Sequence, residues 1–206
     1  PAIKDNGLRP VTGNHRLDIH KGSEPKSMIF GEYYGTAPYS EAMAKKADML
    51  AEVLNIIVVQ EMREKMGAIY GGGFYASVER DPYAHYSIIM QLPCGTESVA
   101  PLLTEADKEI KGLKQNGVDA INLDKVKKAK HEEHRESLKK NDYWMGKLEN
   151  IVFWNYDKKR FLDFDKVVDG ITAPEMKEAA NKLFDGKNSY IGVLYPEEGA
   201  TTTDKK

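Results

Sequence analysis

The chain has 206 residues, of which 41% are hydrophobic and 30% charged, with 11 Tyr and 6 Phe and a formal charge of -2. That length supports one substantial core, burying roughly 70% of the unfolded surface, and the composition excludes a disordered polymer. The near-neutral charge, with neither a basic domain nor a basic stripe with interleaved aromatics, excludes nucleic acid as a partner, and no window approaches the ~18 apolar residues of a membrane span.

In chain order, residues 1–14 mix Pro, Gly and Asn without periodicity and read as a loose N-terminal tail. Pro1 is not Met and no charged-then-apolar secretion signal follows it, so the chain is expected to be a processed or excised piece of something longer. Arg16 to His20 alternates as a short strand. The turn formers Gly22 to Pro25 separate it from a stronger strand candidate at Lys26 to Gly35. From Ser40 a helix is expected, because Met43, Ala47, Leu50, Leu54 and Ile57 recur at steps of three and four. The β-branched run Ile56 to Val59 keeps that register and is read as helix, buried all round. Gly67 is the natural stop.

Ile69 to Arg80 and Ala84 to Pro93 read as an antiparallel hairpin turning at Asp81-Pro82-Tyr83, with Tyr86, Ile88, Met90 and Leu92 sharing one face of its second strand. Helices are expected at about 97–115, 119–140, 143–155 and 173–185, with Asn116-Gly117 and Asp185-Gly186 as stops. A last strand runs from Ser189 to Tyr195, and residues 198–206 form a polar tail. This order predicts an α+β two-layer sandwich, a mostly antiparallel sheet with helices packed on one face, as a single domain over 15–197.

The single cysteine, Cys94, excludes an internal disulfide and reads as a small buried apolar residue. The lysines at 125–130 and 158–160 read as solvated helix faces and loops, and His15 and His20 as surface residues.

Three groups of residues invite a chemical reading. Gly71 to Gly73 follow a helix and open a strand, the reverse of a dinucleotide fingerprint, and no Lys-Ser/Thr follows them as a phosphate loop requires. Glycines there imply close approach of backbone by another segment or by an extended ligand. His131-Glu132-Glu133-His134 contains the letters of a zinc-peptidase site, but its histidines stand at i, i+3 rather than i, i+4 and lack an obvious third ligand. A lysine-rich solvated helix, with His134 near its apolar stripe, accounts for them. Arg63 in the last turn of a helix is favoured by the helix dipole, and Tyr70 at a strand start is ordinary, so each alone has a structural explanation. Together they flank one helix-to-strand corner.

That corner, MREKMGAIYGG, resembles the arginine and tyrosine signature in the C-terminal half of the pitrilysin/insulinase family of inverted zinc metallopeptidases, with the tyrosine seven positions after the arginine. The resemblance continues through RLDIHKGSEPKSMIFGEYYG, HYSIIMQLPCG, KQNGVDAINLDKVKKAK, SLKKNDYWMGKLEN and NSYIGVLYPEE, in the order of a family domain over about residues 15–197. It implies the processing-peptidase-like fold, catalytic roles for Arg63 and Tyr70, a peptide substrate, and zinc held by a separate zinc-binding N-terminal half or partner subunit. The departure is the family's H-x-x-E-H motif: the equivalent helix here, 40–65, has no histidine. The expectation is therefore a C-terminal-half domain that binds no metal or cofactor itself and is inactive alone. A silent relative acting as a structural, assembly or peptide-binding subunit is the alternative. A periplasmic or cell-envelope location is implied by the resemblance only.

Overall fold

The computed structural model describes residues 3–69, 71–155 and 158–197. Five strands, β1 (Asn14–His20), β2 (Ser27–Thr36), β3 (Gly73–Glu79), β4 (His85–Cys94) and β5 (Ser189–Tyr195), form one sheet in the order β1-β5-β2-β4-β3. Only the β1–β5 pair is parallel; β2 pairs antiparallel with β4 and β5, and β3 with β4. The expected sandwich is present, with helices on one face of the sheet.

Alternation decides which face is covered. On β4, Tyr86, Ile88, Met90 and Leu92 are buried, and they stand beside Ile29 and Tyr33 of β2 and Phe74, Ala76 and Val78 of β3. Side chains of period two necessarily share that face, and each fully buried Leu or Ile among them contributes roughly 1.5–3 kcal/mol. On the opposite face Ser87 donates to Glu32 at 2.7 Å.

The helical layer begins with α1 (Glu41–Ile57), N-capped by Ser40, whose hydroxyl accepts from the Met43 N–H at 3.1 Å. It lies along β3 and also packs against α6 (Ala173–Leu183) and α3 (Ala120–Ser137). Thr172 and Glu175 close a capping box at the start of α6, which packs on α2 (Val99–Asn116). The remaining helices are α4 (Asn141–Trp154) and α5 (Phe164–Gly170). No helix among the described residues is long and apolar enough to cross a membrane.

Four expectations need correction. The first strand of the hairpin starts at Gly73 rather than Ile69, because Gly72 takes φ +93 and breaks the ladder; Ile69 keeps one isolated bridge to Cys94. The run Ile56 to Val59 is helical but not buried all round: Val59 is 41% exposed, since the helix unwinds after Ile57 and rotates its side chains. Lys130 is not solvated. It is 5% exposed and donates to Asp48 at 3.1 Å, Glu52 at 3.2 Å and Glu133 at 3.2 Å, fastening α3 to α1. Burial opposes its charge, but Asp48 and Glu52 outweigh burial and hold its pKa above the usual lysine range. Finally, α5 was not anticipated; its signal, Phe164, Val168 and Ile171 at helical spacing, is barely two turns long.

Cys94 is buried as expected, and burial together with the charge of Glu97 pushes its thiol up to about 11. His15 and His20 lie at the surface, His20 stacked on Tyr195 at 5.0 Å. The N-terminal segment makes specific contacts: the Tyr34 hydroxyl donates to the Val11 carbonyl at 2.6 Å, and Arg9 lies 3.6 Å over the Tyr83 ring.

Candidate functional site at the helix-to-strand corner

Beyond Ile57 the helix continues to Lys65 with π-helical spacing, a local departure from α geometry that recurs at functional sites. The ending is wide: the Met66 N–H donates to the Glu61 carbonyl at 3.0 Å and the Ala68 N–H to Met62 at 3.0 Å, while Gly67 turns the chain at φ +60. Met62 points into the core, 1% exposed, and anchors this turn. Arg63, next to it, is exposed.

Its electrostatic setting is informative. Glu61, on the same turn, is held by Lys65 at 2.7 and 2.8 Å. Arg63 makes no side-chain hydrogen bond or ion pair among the described residues, so its guanidinium keeps five N–H donors for something outside them.

Tyr70 lies outside the described residues. The chain on both sides of it is anchored: Ile69 is 3% exposed and bridges to Cys94, and Gly72 is pressed against β4. A Cβ at Gly72 would collide with the Gln91 carbonyl oxygen and meet Pro93 Cδ at 2.8 Å, and one at Gly73 would collide with the Asn55 side chain. The close approach expected of these glycines is therefore made by the chain's own strand and helix at Gly72 and Gly73. Gly71 has open space where its Cβ would be.

The residue that sets this corner against α1 is Asn55, which sequence reasoning missed. Its Nδ2 donates to the Phe74 carbonyl at 3.0 Å, and its Oδ1 accepts from the Phe74 N–H at 2.6 Å. One amide side chain thus replaces a strand partner for the first turn of β3. A signal existed: Asn55 is a polar residue inside the apolar helical run Leu54 to Val59. Since β3 is the last strand in the order, its outer edge has no strand partner among the described residues.

The histidine pair of α3 does other work. His131 sits between two carboxylates of α5, Nδ1 at 2.8 Å from Asp165 and Nε2 at 2.8 Å from Asp169, which suits an imidazolium donating from both nitrogens. His134 is nearly buried, its ring 3.9 Å from that of Phe164, beside the apolar stripe as expected. Among the described residues no group of three or more His, Cys, Asp or Glu is arranged to hold a metal ion.

Asp169 and then Asp165 raise the His131 pKa. A group whose pKa rises on folding stabilises the fold fully below its ordinary value of about 6.5, and that contribution is lost as pH rises through the raised value. The clasp between α3 and α5 is therefore expected to be tight at pH 6 and to loosen in mildly alkaline solution. Amide exchange across residues 164–170, corrected for intrinsic chemistry and compared in the wild type and in His131→Gln, checks this: protection in the wild type should fall from pH 6 to pH 8, and the variant should be as weakly protected at pH 6 as at pH 8. A wild type whose exchange, corrected for intrinsic chemistry, is the same at both pH values would exclude the clasp.

No protein-family model matches the sequence. No curated protein matches it either. Solved structures do match. The periplasmic protease PqqL from Escherichia coli superposes with a TM-score of 0.78 at 16% identity, covering 93% of this chain and 21% of that one. A peptidase M16 inactive domain from Pseudomonas fluorescens gives 0.72 at 19% identity over 94% of this chain and 46% of that one. The fold is that of these peptidase domains. A predicted insulinase family protease from Yersinia pestis shares it as well, with a TM-score of 0.65 at 13% identity, covering 93% and 43%. The chain spans about a fifth of the first of these structures and less than half of the other two.

Proposed function

We propose that this chain is the substrate-binding, oxyanion-stabilising domain of a zinc-dependent metalloendopeptidase of the pitrilysin/insulinase family, working with a zinc-binding half outside the chain. The observation that carries this reading is Arg63: an exposed guanidinium with no partner among the described residues, on the turn that leads into the free edge of β3, in a domain with a peptidase fold. α1, the helix that corresponds to the zinc helix of the resembled family, has no histidine, so the residues present do not fit zinc.

The chain's own residues bind and polarise. An extended peptide pairs with N–H and C=O groups along the edge of β3 beyond Phe74, whose own groups Asn55 occupies, as in strand addition to other sheets. As the scissile carbonyl becomes tetrahedral its oxygen gains negative charge. Tyr70, neutral at pH 7 with an ordinary pKa of about 10, donates one O–H to it, and Arg63 donates charge-assisted N–H bonds to it or to a neighbouring substrate carbonyl. Donors aimed at the oxyanion stabilise the transition state more than the ground state, which raises kcat.

One matching structure, the peptidase M16 inactive domain from Pseudomonas fluorescens, favours a second reading, a non-catalytic subunit that holds a partner or a peptide. Co-expression with a zinc-bearing half from the same source, followed by a quenched-fluorescence peptide assay, separates the two. Hydrolysis is expected only when both parts are present, and Arg63→Ala should lower it. A zinc half whose activity is indifferent to this chain would leave the non-catalytic reading. A periplasmic location, like that of the Escherichia coli protease PqqL, is part of the proposal.

A further inference from the structure

At the opposite end of α1 from Arg63 lies a cavity of about 670 Å³, a volume typical of small-ligand sites. Its walls come from the first turns of α1, the end of β3 with the turn after it, and α4 and α5, and four rings stand in them, Tyr39, Tyr143, Trp154 and Phe164. Cations hold those rings. Lys45 Nζ lies 4.9 Å from the Phe164 centroid, Lys147 Nζ lies 5.1 Å from that of Tyr143, and the Arg80 guanidinium lies 4.4 Å from Trp154 and 4.8 Å from Tyr39. Each contact fixes the ring it touches, so the walls are set before a guest arrives. The lining carries charges of both signs, and Lys45 answers Asp48 at 3.5 Å, so charge favours neither an anion nor a cation there. What the cavity offers a guest is ring and aliphatic surface.

The chain's own N-terminal segment shows what kind of guest enters. The Gly13 N–H donates to Asn188 Oδ1 at 2.9 Å, the Tyr34 hydroxyl donates to the Val11 carbonyl at 2.6 Å, and Arg9 lies 3.6 Å over the Tyr83 ring. Asp5 accepts from Arg9 Nη1 at 2.9 Å and from the Gly7 N–H at 2.8 Å, and Gly7 turns the segment at φ +78. Ahead of these anchors, Ile3 lines the cavity. The turn after β3 serves both, since Asp81 stands in the cavity wall and Tyr83 carries Arg9. Ile3 is still 48% exposed, so it reaches the mouth and leaves most of the ring-lined volume to a larger side chain.

We propose that this cavity binds the bulky apolar side chain of an extended peptide that enters as Ile3 does, with Ile3 serving as the chain's own occupant of the mouth. A phenylalanine in that place extends to the rings and buries more apolar surface than isoleucine, and walls already set lose little freedom on receiving it. The tethered segment competes at high effective concentration, so an incoming peptide displaces it only by filling the cavity better. The proposal does not depend on the peptidase reading.

The test uses the 206-residue chain alone, with acetylated and amidated hexapeptides Pro-Ala-Xaa-Lys-Asp-Asn in which Xaa is phenylalanine, isoleucine or glycine. Calorimetry and tryptophan fluorescence, which reports on Trp154, should show the phenylalanine peptide binding at least about tenfold more tightly than the glycine peptide, with isoleucine between them. Ile3→Gly removes the resident side chain and should tighten binding of the phenylalanine peptide about three- to tenfold. Val167→Asp, at a partly exposed position in the cavity wall, should weaken it about tenfold with unchanged melting temperature, while Val152→Asp, exposed on α4 outside the lining, should not. Equal affinity for the phenylalanine and glycine peptides, no gain in Ile3→Gly, equal affinity in Val167→Asp and wild type, or no binding of any peptide at about 10 mM overturns the proposal.

Discussion

Under the proposed function, Tyr70→Phe in the chain paired with a zinc-bearing half is expected to lower kcat by about 10²- to 10³-fold with little change in KM. The substitution removes one O–H and nothing else of the side chain's shape, so it isolates the hydrogen bond proposed for the transition state. A single oxyanion donor is worth roughly 2.7–4 kcal/mol in other hydrolases, and that range sets the size of the effect. The split between the two constants is diagnostic: a tyrosine that merely packs against substrate would raise KM and leave kcat alone. Arg63→Lys provides the companion measurement, because lysine keeps the charge but loses the planar fork of donors. An unchanged kcat for Tyr70→Phe would remove Tyr70 from the mechanism while leaving the fold and Arg63 untouched.

Gly72→Ala is expected to cost about 3–5 kcal/mol of stability, from a side chain forced into φ +93 and from its collision with the Gln91 carbonyl. In a chain of this size that corresponds to a fall of roughly 6–20 °C in Tm. Neither obstacle can yield cheaply, because the colliding oxygen belongs to the backbone of β4, which is paired on both sides. Gly71→Ala is the control. Its Cβ would meet nothing within 4 Å, so its stability should change by less than about 1 kcal/mol. Chemical denaturation of the two variants side by side checks the contrast, and equal losses would show that the corner yields as one flexible loop.

The contrast between adjacent glycines shows where reading the chain reaches its limit. GGG announces a special backbone, and its position after a helix and before a strand already excluded a phosphate loop. Which glycine carries the constraint depends on β4 arriving from some twenty residues away.

Local pattern was enough wherever the controlling interactions are local. The five strands and α1, α2, α3, α4 and α6 were readable because alternation and three-to-four spacing report which side chains share a face, and Ser40, Asn116-Gly117 and Asp185-Gly186 marked ends through their own backbone preferences. Their order implied the layered sheet, and the seven-residue spacing of Arg63 and Tyr70 carried the family resemblance. Tertiary structure decided the rest. Asn55 clamps a strand 19 residues away, and Lys130 is buried against Asp48, 82 residues away. The ring-lined cavity gathers α1, the end of β3, α4 and α5. A side chain's period names the face it occupies, but the partner on that face is set by how whole elements pack, and packing is a property of the assembled layers rather than of any stretch of chain.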